Sequence, residues 1–431
     1  MTTPEGTQLE VEITRMAHGG KGIGFADERT IFVDSAYPGD TVQAELYKKK
    51  KRIGFGTITE VVAASSYRVD SRCAAAAQGA GCCDFATLAP EKELELKHEV
   101  LADQIRRLGN VEQLPAVNLR SVGDTQDWRT RVRMHIDDDG QVGFRKSHSH
   151  ELVRNTACSQ VHPTLMQALL AAPKQSKLRP GAELVGVLDD AKTVHIAEVA
   201  VPARGKRSER ILRVLAGSDT ITQTAGDVSF KLPITAFWQA HVQVMTTFLE
   251  IIETALRDAA LAPGAIVWDL YGGCGAFVPA IANAVADAEI IEIDQASAAI
   301  AAGVAAFEST TNKLVKETEQ AQRLVDLAIG QGVSSLEFHA KAVAQLVSQL
   351  RSPDAVVLDP PRTGAGEEVI RAVAAAGAQC IIHFGCDAAT FARDLGLWDT
   401  NGYEVKRIEL CNAFPATHHF ESIAILHPKQ D

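Results

Sequence analysis

Between residues 8 and 62, apolar and polar positions alternate through LEVEITRMA, GKGIGFADERTIFVDSA and DTVQAELYKKKKRIGFGTITEVVA, with Gly, Asp and a Pro-Gly pair at the breaks. Period-two alternation ended by turn residues predicts short strands with one buried face, and their number predicts a small β-barrel. Residues 66–90 show no periodicity and read as a loop. EKELELKHEVLADQIRRLG, residues 91–109, has the spacing of an amphipathic helix ended by Gly109. From about 118 to 225, alternating runs return (TRVRMHIDDDGQVGFR, ELVGVLDD, TVHIAEVAV, ERILRVLA) and predict a second β-rich module.

After about residue 228 the rhythm changes. Apolar runs (AIVWDL, AEIIEID, SSLEFHA, DAVVLD, QCIIHF) now alternate with helical stretches (FVPAIANAVAD, QASAAIAAGVAAF, EEVIRAVAAAG). That alternation predicts a parallel sheet with helices on both faces. YEVKRIELCNAF and HHFESIAILHP near the C-terminal end read as a hairpin, and residues 307–331 as an extra helical insertion. The predicted domains are a barrel over 1–64, a central β-rich module over 65–227 and an α/β domain over 228–431.

Composition narrows the class. The 431 residues are 46% hydrophobic and 23% charged, too many for one core and ordinary for a soluble globular protein. No apolar secretory segment opens the chain and no run reaches membrane-spanning length, so a cytoplasmic protein without membrane contact is expected. Eight cysteines in such a setting point to thiol chemistry or metal ligation rather than disulfides. The formal net charge of −11 does not favour nucleic acid, so RNA contact would need local basic clusters. One exists: YKKKKR, Tyr47 to Arg52, flanked by Tyr47 and Phe55. A basic strip with aromatic neighbours on a small barrel suits RNA backbone and bases; a solvated hairpin tip is the plainer alternative.

The chemistry gathers at strand ends. WDLYGGCGAF places Asp269 at the end of one strand and Gly273 and Gly275 in the turn after it, where the backbone can approach a ligand. Glu292 ends the next strand, where a carboxylate can accept hydrogen bonds from ribose hydroxyls. The spacing suits a nucleoside cofactor, S-adenosylmethionine or a dinucleotide. VVLDPPRTGAG ends a third strand with Asp359 and two prolines that take the chain rigidly out of the sheet. HFGCDAATFARDL sets Cys386 between a fourth strand and a helix. Ligands in such sheets bind outside the carboxyl ends of the strands, and packing alone does not explain four polar or reactive residues on that edge.

These residues resemble a family. FWQAH (Phe237 to His241), DLYGGCG, DPPRTG, GCDAATFARDL and FPATHHFES (Phe414 to Ser422) follow the pattern of the bacterial RNA 5-methyluridine methyltransferases, and GGKGIGF, FVDSAYPGDTV and the basic run resemble their N-terminal TRAM domain. The resemblance implies a seven-stranded, mostly parallel Rossmann-like methyltransferase sheet, an OB-like RNA-binding barrel, and packing of helix 91–109 on the catalytic domain. It also implies methyl transfer from S-adenosylmethionine to carbon 5 of a uridine in 23S rRNA or tRNA. Cys386 matches the nucleophile that adds to carbon 6, and Glu421 the general base. Asp359 matches a residue that holds the target uracil, lies near the nucleophile and also borders the cofactor. Gln239, with Asp269, Gly273, Gly275 and Glu292, matches the cofactor site. Arg129, Arg131 and Arg145 are expected to join the basic run in phosphate contacts. No obligate protein partner is implied, and a monomer is expected.

The chain departs from the family in three places. The family often carries a 4Fe–4S cluster on three close cysteines and a distant one; here RCAAAAQGAGCCDF offers Cys73, Cys82 and Cys83, with Ala80 in the place of the second ligand and Cys158 as the distant one. Position 241 is His where Asn is common, and Lys341 stands where an acidic residue often lies near the adenine. A nitrogen methyltransferase, whose third strand also ends in a Pro-Pro turn, needs neither Cys386 nor Glu421. The remaining alternative is an RNA-binding protein with a decayed methyltransferase domain.

Overall fold

A computed structural model describes residues 7–109, 111, 115–202, 210–311, 322–325 and 333–430. Residues 312–321 and 326–332, most of the expected insertion, lie outside them.

The N-terminal strands Gln8–Met16, Lys21–Ala26, Arg29–Asp34, Thr41–Lys49 and Ile53–Ala63 close into a barrel. Their alternate apolar residues, among them Val11, Ile13, Ile31, Val33, Val42 and Leu46, fill its interior. The central region forms a six-stranded antiparallel sheet over residues 131–216, backed by the helix Pro163–Gln175. The hairpin of Thr220–Ala225 and Val228–Pro233 straddles the expected boundary at 227/228. Its Ile221, Phe230 and Leu232 pack into the same core as Phe248 and Val278 of the C-terminal domain.

That domain is built on a nine-stranded sheet. Seven strands form its body, in the order Val333–Ala340, Ala288–Asp294, Ile266–Leu270, Ala355–Leu358, Cys380–Gly385, Glu421–Pro428, Tyr403–Asn412. The first five run parallel; the last two return as an antiparallel hairpin. Gln322–Val325 is added at one edge. At the other, Val117–Ser121 from the central region pairs parallel to Ile408–Asn412. Strands such as Cys380–Gly385 are buried on both faces, as their unbroken apolar runs require when helices cover both sides. The helix Pro90–Gln104, extended by a wide turn to Gly109, lies on this domain: its Leu101 and Ile105 join Phe391, Leu395 and Trp398 of the helix Ala388–Thr400. Gly109 and Gly396 let the backbones touch, since a Cβ on either would collide with the other segment. Among the described residues no helix is long and apolar enough to cross a membrane.

Candidate active site

The parallel register sets Asp269 directly beside Glu292 at the ends of adjacent strands. Both are fully buried, and among the described residues the one hydrogen bond open to their carboxyls is to each other, when one is protonated. Burial pushes the Asp269 carboxyl up to about 7; burial and the facing Asp269 hold Glu292 well above the usual carboxylate range. Two carboxylates in one dry site cannot both ionise cheaply, so the pair shares a proton near neutrality. The turn above them is Tyr271 to Gly275, in which Tyr271, Gly273 and Gly275 have positive φ. Gly272, which the sequence reading passed over, is the residue in closest touch with the pair: a Cβ there would collide with both carboxylates. A Cβ on Gly273 would meet nothing within 4 Å, so this backbone borders open space. Buried acceptors with no donor but each other, under a bare-backbone turn, fit the hydroxyl donors of a nucleoside such as that of S-adenosylmethionine. Lys341 is exposed, immediately after Ala340, whose register partner is Asp294 at the end of the Glu292 strand. Gln239 makes no hydrogen bond to this pair among the described residues. It is half-buried on the wall of a cavity of about 410 Å³ with Trp238, His241, Met245 and Pro279. His241 stacks on Trp128 at 5.3 Å, and burial lowers it to about 4, leaving it neutral.

A second group lies further along the same sheet edge. The antiparallel register ends at Gly385 opposite Ser422, and the neighbours Cys386 and Glu421 lie close enough that the Glu421 carboxyl acts on the thiol. Asp359, half-buried and anchored by its N–H to the Leu270 carbonyl at 3.2 Å, completes the group. Cys386 is half-buried ahead of the helix whose N-terminus Asp387 caps through Ala389 and Thr390 N–H groups. A helix N-terminus favours a thiolate, but burial comes first here. With Glu421 and Asp359 adding to it against Arg362, the thiol is pushed up to about 12. Burial, then Asp359, raises Glu421 well above its ordinary value, and Arg362 pulls the other way; Asp359 rises to about 7, by burial and then by Asp269. At rest the site holds a protonated thiol among protonatable carboxyls.

The loop entering Glu421 is tightly held. Glu93 accepts from Ala416 N–H at 3.0 Å, and buried Lys97 donates to Glu93 at 2.7 Å, Asn412 at 2.6 Å and the Phe414 carbonyl at 3.3 Å. The barrel reaches the site too: His18 is 3.2 Å from Asp387, and the turn Ala17 to Gly20 lines a small cavity of about 50 Å³ with Cys386, His418 and His419.

The basic residues divide. Lys48 lies over Phe55 at 5.7 Å, beside half-exposed Tyr47, and Arg145 is exposed. Arg145 borders an open hollow of about 470 Å³ with Lys146, His148 and His150, and His148 touches Tyr47 of the barrel at 4.9 Å. Arg129 and Arg131 do not join this face. Arg131 turns inward to the Ile234 and Ala236 carbonyls, and Arg129 bonds to the Arg131 carbonyl at 2.9 Å and Gln160 at 3.3 Å. Burial lowers both, Arg131 to about 10. Their expected phosphate contacts are therefore corrected: charge along the sequence does not reveal which side of a strand faces inward.

Comparison with known proteins agrees with this architecture. The tRNA (uracil-5-)-methyltransferase family profile matches residues 187–429, and the TRAM domain profile residues 3–59. An uncharacterized RNA methyltransferase of Corynebacterium glutamicum is 43% identical over 98% of this chain and 97% of its own. The 23S rRNA (uracil(1939)-C(5))-methyltransferase RlmD of Halomonas elongata is 30% identical over 97% of this chain and 89% of its own. The crystal structure of the Pyrococcus abyssi tRNA (uracil-54, C5)-methyltransferase, in complex with S-adenosyl-L-homocysteine, shares the fold. It superposes with a TM-score of 0.71 over 97% of this chain and 100% of its own, at 19% identity. The chain belongs to the tRNA (uracil-5-)-methyltransferase family and is an S-adenosylmethionine-dependent RNA methyltransferase with an N-terminal TRAM domain.

Proposed function

We propose that the enzyme methylates carbon 5 of a uridine in 23S rRNA or tRNA through a covalent bond between Cys386 and carbon 6. What supports this reading is that the Glu421 and Asp359 carboxyls lie close enough to Cys386 to act on its thiol, where the strand of Cys386 ends beside that of Glu421. Carbon 5 of uracil is a weak nucleophile. Addition of the Cys386 sulfur to carbon 6, with loss of the thiol proton, makes the ring an enolate whose carbon 5 is electron-rich. S-adenosylmethionine, held by Asp269, Glu292 and the Gly272–Gly275 backbone, supplies the electrophilic methyl group; Gln239 remains an assigned contact on its sequence match alone. Once carbon 5 is methylated, Glu421 as carboxylate removes the carbon 5 proton, the C6–S bond breaks and the sulfur leaves. Asp359, with its carboxyl near half-protonation at neutral pH, can face both the N3–H and a carbonyl of the uracil edge. The base must leave its stack to reach this crevice.

The barrel (1–64) and the exposed part of the central module (65–227) take the RNA backbone, and the C-terminal domain (228–431) does the chemistry. Incubation with total RNA and methyl-labelled cofactor, followed by nucleoside mapping, tests the reading. Label in 5-methyluridine is expected; label confined to another nucleoside refutes it.

A further inference from the structure

The cysteine centre beside the active-site loop does not have the dimensions of the cluster that the resemblance implies. Cys73, Cys82, Cys83 and Cys158 converge so that their sulfurs all lie within 4.8 Å of one another. Cys73 and Cys82 are 3.8 Å apart, and Cys83 and Cys158 3.5 Å. In a 4Fe–4S cube each thiolate bonds a different iron, so the sulfurs stand roughly 6 Å apart. Four thiolates on one tetrahedral ion, with bonds of about 2.3 Å, stand about 3.8 Å apart. The donor set suits either metal centre, but the spacing suits the single ion. Ala80 at the usual position of the second ligand and Cys82 directly next to Cys83 give this chain a tighter ligand loop than the family pattern.

The charges around the centre agree. Cys73, Cys83 and Cys158 are buried in an apolar cluster with Ala75, Met134 and Val161. Near them sits Arg129, bonded at 3.3 Å to Gln160, whose amide in turn donates to the Cys82 carbonyl at 3.0 Å. Four thiolates on a divalent ion carry a net charge of two minus, which a guanidinium in that place offsets.

The same segment grips the loop that leads into Glu421. Gln160 donates to the Cys82 carbonyl at 3.0 Å and to the Pro415 carbonyl at 3.5 Å. Phe85 N–H donates to the Ala416 carbonyl at 3.1 Å, and the Asp84 carboxylate accepts from His418 N–H at 3.3 Å and from its ring. We infer that Cys73, Cys82, Cys83 and Cys158 hold one tetrahedral divalent ion of the zinc type in place of an iron–sulfur cluster, and that this ion braces the 413–420 loop. The second half rests on the role proposed for Glu421; the first does not.

Metal analysis of full-length protein, purified without oxygen from iron-replete cells, is the first test. About one zinc per chain, no acid-labile sulfide and a colourless solution are expected, and cobalt(II) in its place should give the intense visible bands of a tetrahedral thiolate site. Iron and sulfide in cluster amounts, or protein without metal, would overturn the ion assignment whatever the methylation assay shows. The brace is tested by removing zinc with a chelator. Methylation should fall at least tenfold, S-adenosylmethionine affinity should stay within twofold, and added zinc should restore the rate where ferrous iron with sulfide does not. Full methylation by zinc-free protein would overturn the brace. Gln160→Ala, which leaves all four thiols in place, should keep its zinc and lose turnover rather than cofactor affinity; unchanged turnover would likewise count against the brace.

Discussion

Asp269→Asn should make the cofactor-free protein more stable and the cofactor-bound protein less so. The wild-type pair sets two buried carboxyls side by side with no donor but each other. Burial raises the Asp269 carboxyl from its ordinary 3.8 to about 7 in the folded state. A raised carboxyl pKa means that the folded state holds a proton which the unfolded state has already lost. Stability from this group is therefore full below the unfolded value and falls as pH rises, until it levels off above about 7. Three pKa units at about 1.4 kcal/mol each come to roughly 4 kcal/mol at pH 8. Asparagine carries no charge to be penalised and its amide can donate to Glu292. For a domain of this size that shifts unfolding by about 10 °C. The assay is thermal unfolding of the ligand-free variant and wild type between pH 4.5 and 8.5, repeated with S-adenosylmethionine. The variant's advantage should be smallest at pH 4.5, about 1 kcal/mol, grow through pH 7 and reverse with saturating cofactor if the carboxylates accept from the ribose as proposed. An advantage independent of pH, or a ligand-free variant less stable at pH 8, would refute the reasoning.

Other consequences follow from the second group and the RNA face. Asp359→Asn removes one of the anions that hold the Cys386 thiol up near 12, so iodoacetamide should label Cys386 several-fold faster at pH 8, read by peptide mass spectrometry; Arg362→Ala should slow it, and equal rates in all three proteins would contradict the electrostatics. Lys97→Met leaves the buried Glu93 carboxylate with Arg72 at 3.5 Å and the Ala416 N–H as its remaining partners and should cost roughly 2–3 kcal/mol of unfolding free energy, whereas a loss under about 1 kcal/mol would show that the Glu93–Lys97 pair does not clamp the loop. Changing Lys48 to Lys51 to Gln should weaken RNA binding and lower the slope of log affinity on log salt by up to about 3; an unchanged slope would remove the hairpin from the interface.

How much of this could be read from sequence depended on whether a residue's place follows from its own strand. Asp269, Glu292, Asp359 and Cys386 each end an apolar run, so the strand-helix rhythm alone assigns them to one sheet edge. The structure also brings Glu421 to Cys386, but through the register of a hairpin that returns from elsewhere in the chain. No local pattern states that register, and the residue stood out only through the family resemblance. Val117–Ser121 was read with the central module because nothing in its five residues reveals a partner some 290 positions away. Gly272 carries no signal of its own within the YGGCG turn, and the positive φ values fall on Tyr271, Gly273 and Gly275. What fixes Gly272 is contact with two carboxylates, which only the folded chain displays. The four cysteines were legible as a group, but not their spacing.

The covalent mechanism is tested most directly by a denaturing gel of Glu421→Gln incubated with RNA and labelled S-adenosylmethionine. Addition of Cys386 and methylation of carbon 5 do not require the base, but release of the product does. The variant should therefore accumulate protein joined to methylated RNA as a slow labelled band. Cys386→Ala and the double variant should give no band, with cofactor binding retained. Normal turnover by Glu421→Gln without adduct, or uridine methylation by Cys386→Ala, would contradict the account.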